Sequence, residues 1–108
     1  MPDIRQIRQF IAVAEEKHFR LAAERLNMTQ PPLSLSIKKL EEDLGTRLLD
    51  RNNKTVSLTP AGEVFLSGAY ELVDKLEQIS SDARRAAQGL TGRLTIGFVG
   101  SAIYDALP

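Results

Sequence analysis

The chain has 108 residues, is 43% hydrophobic and 26% charged, and balances 14 Lys and Arg against 14 Asp and Glu, a composition expected of one soluble globular domain and not of a disordered or fibrous chain. It contains no cysteine and a single histidine, which excludes disulfides, thiolate metal sites and clusters of His ligands, so no metal, no other cofactor and no catalytic centre is expected. Apolar runs are only a few residues long and the start, Met-Pro-Asp-Ile-Arg-Gln, lacks the apolar core of a signal peptide; the expectation is a cytoplasmic protein with no membrane partner. The zero net charge hides a small asymmetry. Residues 1–60 carry ten bases and eight acids, whereas residues 61–108 carry four and six.

Ile4, Ile7, Phe10, Ile11 and Ala14 fall within a stripe of about 120° at helical spacing, with Arg5, Gln6, Arg8 and Gln9 outside it, which predicts an amphipathic first helix. Residues 20–26 are rich in strong helix formers and are followed by Asn27, which tolerates the left-handed conformation that ends many helices. A short second helix is expected there. Thr29-Gln30-Pro31-Pro32 has the form of a helix start, with Thr as N-cap and two prolines whose missing N–H groups a first turn leaves unpaired anyway. The third helix is expected to bury Leu33, Ile37, Leu40 and Leu44 and to end at Gly45. Leu48 and Leu49, then Val56 and Leu58, flank Arg51-Asn52-Asn53-Lys54 as two strands flank a hairpin turn. Thr59-Pro60 starts a long helix that should run to Gly89 and Gly92. Within it Phe65, Ala69, Leu72, Leu76, Ile79, Ala83 and Ala86 follow at intervals of 4, 3, 4, 3, 4 and 3, a heptad seam. Leu94, Ile96 and Phe98 then alternate as in a strand, and residues 101–107 resemble the opening of another helix. The expected division is therefore a small domain over residues 1–59, a linking helix over 60–89, and over 90–108 a hinge with the first strand of a second domain, so that the sequence is expected to be a fragment.

The expected fold class is all-α with a small β wing. Three short helices with a tight turn between the second and third, then a hairpin, make the order of a winged helix-turn-helix, whose third helix enters the DNA major groove. At about 100° per residue, Pro31, Leu35, Lys38, Lys39 and Glu42 lie opposite the apolar stripe of that helix. Its N-terminus attracts phosphate through unpaired N–H groups and the helix dipole. Gln30, Ser34 and Ser36 can exchange hydrogen bonds with bases or phosphates, and Pro31, Pro32 and Leu35 can touch thymine methyl groups. Thr29 belongs to the same turn. Arg51, Asn53 and Lys54 at the hairpin tip and Arg20 at the start of the second helix are phosphate or minor-groove candidates.

Leu21-Ala22-Ala23-Glu24-Arg25-Leu26, Thr29-Gln30-Pro31-Pro32-Leu33-Ser34, Leu40-Glu41 with Leu44-Gly45, Leu48-Leu49-Asp50-Arg51, and Leu58-Thr59-Pro60-Ala61-Gly62 together strongly resemble the N-terminal domain of LysR-type transcriptional regulators. The resemblance covers about residues 4–100 and rests on five blocks in order at fitting intervals. It implies a winged helix-turn-helix that binds double-stranded DNA, a linker helix that pairs two subunits, a full-length assembly that is usually a tetramer, and a C-terminal domain of periplasmic-binding-protein type that senses a small-molecule inducer. Residues 96–101 look like the first strand of that sensor and resemble more loosely the branch controlling aromatic-acid catabolism. In one respect the sequence departs from the family: Arg-Gln often follows the serine of the recognition helix, and Leu35-Ser36 stands here instead. The family's usual base preference therefore does not transfer at this position. A two-fold dimer implies a two-fold operator, an interrupted dyad with two half-sites.

Other readings of the same residues stand beside these. Lys38 and Lys39 also suit a solvated helix face, particularly next to the acidic run Glu41-Glu42-Asp43, and Arg51 also suits an ion pair with Asp50 or Glu42. His18 reads as a surface or capping residue. The seam can be laid in part on the chain's own domain: Val64, Phe65 and Leu66 are expected on the first helix, with Ala69 to Ala86 left for a second chain, antiparallel as the resemblance implies. The alternative function is a coiled-coil protein-interaction module that does not bind DNA.

Overall fold

A computed structural model of the chain describes residues 1–52 and 55–93. Its elements follow one another as α1 (Ile4–Glu16), α2 (Phe19–Arg25), α3 (Gln30–Leu44), β1 (Leu49–Arg51), β2 (Val56–Leu58) and α4 (Pro60–Arg93). The protein is mostly helical with one small antiparallel sheet, in which Leu49 faces Leu58, Asp50 faces Ser57 and Arg51 faces Val56. It divides into two units, residues 1–74 and residues 75–108.

Local chemistry sets the helix ends. At the start of α1, Asp3 accepts the Gln6 amide at 2.8 Å while the Gln6 side chain accepts the Asp3 amide at 3.1 Å, a reciprocal cap that satisfies two otherwise unpaired donors. Lys17, at φ 57°, ends α1 in the left-handed conformation, and His18 caps α2 by accepting the Leu21 amide on Nδ1 at 3.4 Å. Asn27 takes φ 56° in the turn between α2 and α3, the role its side chain suits. Gly45 closes α3 at φ 72°, its N–H reaching Glu41 and Glu42 carbonyls while the Thr46 amide also reaches Glu41. Thr29 occupies the N-cap position of α3, but its hydroxyl makes no capping bond.

The core of the first unit is built from Phe10, Val13, Leu33, Ile37, Leu40, Leu48 and Leu49, all fully buried. Phe10 meets Phe65 of α4 edge to face with ring centroids 5.4 Å apart, a favoured arrangement of aromatic quadrupoles. A second cluster joins Ile7 and Ile11 to Ala69, with Phe65, Leu66 and Val73 packed around it. Four details differ from the sequence reading. Gln6 and Gln9, expected outside the apolar stripe of α1, are buried, whereas Ile4 and Leu44 are exposed. Val64 is 76% exposed instead of packing on α1. Ala69, expected to meet a second chain, is covered by its own α1. The long helix continues through Gly89 and Gly92 to Arg93, because a mid-helix glycine costs only about 1 kcal/mol and neither residue enforces a stop. The strand expected at residues 94–99 and the helix start at 101–107 lie outside the described residues.

Two polar devices hold the unit together. Glu15 of α1 accepts a hydrogen bond from the Tyr70 hydroxyl of α4 and an ion pair from Arg25 of α2 at 2.7 Å, and Arg25 also reaches Glu16 at 3.1 Å. The Tyr70 bond, then Arg25, hold the Glu15 carboxyl below its usual range, and the same Glu15 contact pushes the Tyr70 phenol up. The second device fastens the wing. Thr59 donates its hydroxyl to the Arg47 carbonyl at 2.7 Å and accepts the Gly62 amide on the same oxygen at 2.9 Å, while its own amide binds the Leu48 carbonyl at 3.0 Å. The first turn of α4 thus lies directly on the Leu48 backbone. A Cβ at Gly62 would fall 2.0 Å from the Leu48 carbonyl oxygen, so only glycine fits.

Candidate nucleic-acid interface

The helix-turn-helix is formed by α2 and α3, with the four residues from Leu26 to Thr29 between them. Leu33, Ile37 and Leu40 anchor α3 in the core, so the opposite face is held outward on a fixed backbone. That face carries Gln30, Pro31, Leu35, Lys38 and Lys39, all exposed, with Ser34 half-buried beside them. Among the described residues, Gln30, Ser34, Lys38 and Lys39 make no side-chain hydrogen bond or ion pair. The uncapped Thr29 hydroxyl adds another free group at the same end, and Pro32 is exposed next to Pro31. Free donors and acceptors, two ammonium groups and a helix N-terminus on one rigid face are what a phosphate backbone and the base edges of a groove require.

Not every expected contact belongs to this face. Ser36 donates its hydroxyl to Gln9 Oε1 of α1, and Gln9 Nε2 in turn lies 3.8 Å from Met28 Sδ. Ser36 therefore orients the helix from inside and is not offered as a DNA contact. Arg20 is exposed but pairs with Glu24 one turn on at 2.9 Å, a weak surface pair from which a phosphate can recruit it. Arg51 forms no ion pair with Asp50 or Glu42. Its guanidinium lies over the Phe19 ring, 4.5 Å from the centroid, which occupies the cation's face and leaves its N–H edge available. Asn53 and Lys54 lie outside the described residues, and beside them Asn52 Oδ1 accepts the Thr55 amide at 3.3 Å and its hydroxyl at 2.9 Å.

Sequence reasoning missed Glu41. Grouped by charge with Glu42 and Asp43, it instead turns to the wing and accepts the Leu48 and Leu49 amides on one carboxylate oxygen at 2.8 and 3.1 Å. The only sequence signal for this was Glu41 lying one turn before Gly45, close to a chain reversal.

Of the seam on α4, Phe65 and Ala69 are used within the chain, while Leu72 and Ile79 are 47% and 49% exposed, Leu76 is half-buried, and Ala83 and Ala86 are exposed. Flanking polar residues pair locally: Gln78 donates to Asp82 at 3.1 Å, and Arg85 reaches Ser81 at 2.8 Å and also binds Asp82. Among the described residues no helix is long and apolar enough to cross a membrane.

Comparison with known proteins agrees with this arrangement. A family model described as "Bacterial regulatory helix-turn-helix protein, lysR family" matches residues 4–63. The HTH-type transcriptional regulator AlsR of Bacillus subtilis is 53% identical over 106 residues, 98% of this chain and 35% of that protein. The probable cat1 operon transcriptional activator of Acinetobacter lwoffii is 45% identical over 106 residues, again 98% of this chain and 35% of that protein. The crystal structure of a BenM_DBD/benA site 1 DNA complex matches with a TM-score of 0.79 at 42% identity, covering 82% of this chain and 99% of that one. The chain spans about a third of the length of the curated relatives it matches. With the helix order, the buried anchors of α3 and the wing all in place, the chain belongs to the lysR family of bacterial regulatory helix-turn-helix proteins.

Proposed function

We propose that this chain binds double-stranded DNA sequence-specifically as a homodimer and, within a longer protein, regulates transcription in response to a small-molecule inducer. The observation that carries the reading is the outward face of α3, where Gln30, Ser34, Lys38 and Lys39 stand without partners among the described residues on a helix fixed by three fully buried side chains. DNA-bound neighbours of the same fold support it. Residues 1–59 are the reading head, and Thr29, Gln30, Pro31, Pro32, Ser34 and Leu35 address base edges. Arg20, Lys38, Arg51, Asn53 and Lys54 address the backbone and supply most of the affinity and its salt dependence. The helix from residue 60 pairs two subunits through Leu72, Leu76, Ile79, Ala83 and Ala86, which matches two half-sites of an interrupted dyad. Residues 90–108 lead into the inducer-sensing part, and the full-length protein assembles as a tetramer in the cytoplasm. The printed name of one relative, a transcriptional activator, supports activation as the regulatory outcome.

Titration by fluorescence anisotropy into an interrupted-dyad duplex and a scrambled duplex, across a salt series, tests this. The expected result is a steep loss of affinity with salt and a clear preference for the dyad. Equal affinity for both duplexes at every salt concentration would contradict sequence-specific reading.

A further inference from the structure

The outward face of α3 places a large apolar side chain where a polar one would be expected to read bases. Leu35 is the sixth residue of the helix and is 68% exposed. Pro31 precedes it by one turn on the same face, and Lys38 and Lys39 follow by one turn. Its neighbour Ser36 is turned inward onto Gln9, so hydrogen-bonding capacity at the centre of the face is lost from both positions. A single exposed leucine on a protein surface is ordinary. Leu35 differs in its setting: the first two turns of a helix backed by Leu33 and Ile37, followed by two unpaired ammonium groups suited to a polyanion. In the major groove the thymine 5-methyl is the one apolar group on a base edge.

We propose that Leu35, with Pro31 beside it, reads the thymine 5-methyl group, so that one position in each half-site distinguishes thymine from cytosine by apolar contact and not by a hydrogen bond. This rests on the DNA-binding reading above. Four residues of helix advance about 6 Å, and base pairs stack about 3.4 Å apart, so Pro31 and Leu35 span about two base-pair steps. The methyl groups read by the two side chains lie within that span. Lys38 and Lys39 set the affinity without contributing to this choice.

The test removes the methyl and nothing else. Duplexes bound by the 108-residue chain are selected from a random pool, and each thymine of the preferred half-site is replaced in turn by deoxyuridine, which keeps every hydrogen-bonding group. At one or two positions the replacement should weaken binding about fourfold, the scale of burying one methylene-sized group. With Leu35→Ala, which leaves the buried face of α3 untouched, that sensitivity should vanish at the position Leu35 reads. Uridine sensitivity that is absent from the parent, or undiminished in Leu35→Ala, overturns the inference while leaving DNA binding intact. Failure to bind any duplex beyond a scrambled control overturns the underlying reading as well.

Discussion

The exposed sides of α3 and α4 differ in what they leave uncovered. On α3 the outward residues are amide, hydroxyl and ammonium groups around one leucine, and the helix beneath is pinned by side chains with no exposure at all. On α4 the uncovered residues are apolar and periodic: Leu72 and Ile79 are each about half exposed on the spacing of a heptad seam. A polar face on a rigid backbone suits a highly charged, hydrated ligand whose groups have fixed positions. A repeating apolar stripe gains nothing from such a ligand and instead suits another stripe of the same period. Two surfaces in one short chain therefore answer to two different solvents, the groove of a polyanion and the side of a second helix.

Substitutions can separate these surfaces from their shared support. The largest effect is expected for Gly62→Ala, which forces a Cβ against the Leu48 carbonyl and should destabilise the first unit by about 3 kcal/mol, on the scale of overpacking a rigid site, as read by urea unfolding. Ile79→Asp places a charge in the seam. Sedimentation should show a monomer with an unchanged circular dichroism spectrum, and affinity for a dyad should fall about 100-fold as the second half-site contact is lost. Lys38→Ala should leave the dimer intact, weaken all duplexes by a similar factor and reduce the slope of log affinity against log salt by about 1. If Ile79→Asp and Lys38→Ala both change oligomeric state, the separation of surfaces is wrong.

The smallest effect is expected from Tyr70→Phe. The folded state holds the Glu15 carboxyl below its ordinary range, chiefly through the Tyr70 bond, so the contact stabilises above that range and is lost as pH falls through the lowered value. The Tyr70 phenol is raised, so the same contact is lost again as pH rises through the raised value. The variant should lose less than about 1 kcal/mol at neutral pH, since Glu15 and Arg25 are both over a third exposed and screened by solvent. Parent and variant melting curves should converge in acid and in strong alkali.

Most element boundaries were legible in the sequence because their chemistry is local. Gly45, Asn27 and Thr59-Pro60 each mark a helix end through a backbone preference of the residue itself. Periodicity likewise identified the fully buried face of α3 and, by subtraction, its outward face. What periodicity cannot give is the group across the gap. Gln9 lay at the edge of an apolar stripe, and only packing against α3 and Met28 brings it to Ser36, 27 positions away. Arg51 had acids nearby in sequence, yet an aromatic ring from α2 claims its guanidinium. In the candidate site the outward residues were therefore legible, whereas Ser36, Arg51 and Glu41 acquire their roles from distant partners.

The Glu41 carboxylate has a mechanical consequence. By taking both the Leu48 and Leu49 amides it clamps the last turn of α3 to the first wing strand, and Thr59 and Gly62 seat the other side of the same segment on α4. The distance from recognition helix to wing then behaves as the fixed jaw opening of a caliper. A half-site whose major and minor grooves do not match that opening has to bend or change width to be gripped, so the stiffness of base pairs that no side chain touches enters the choice of operator.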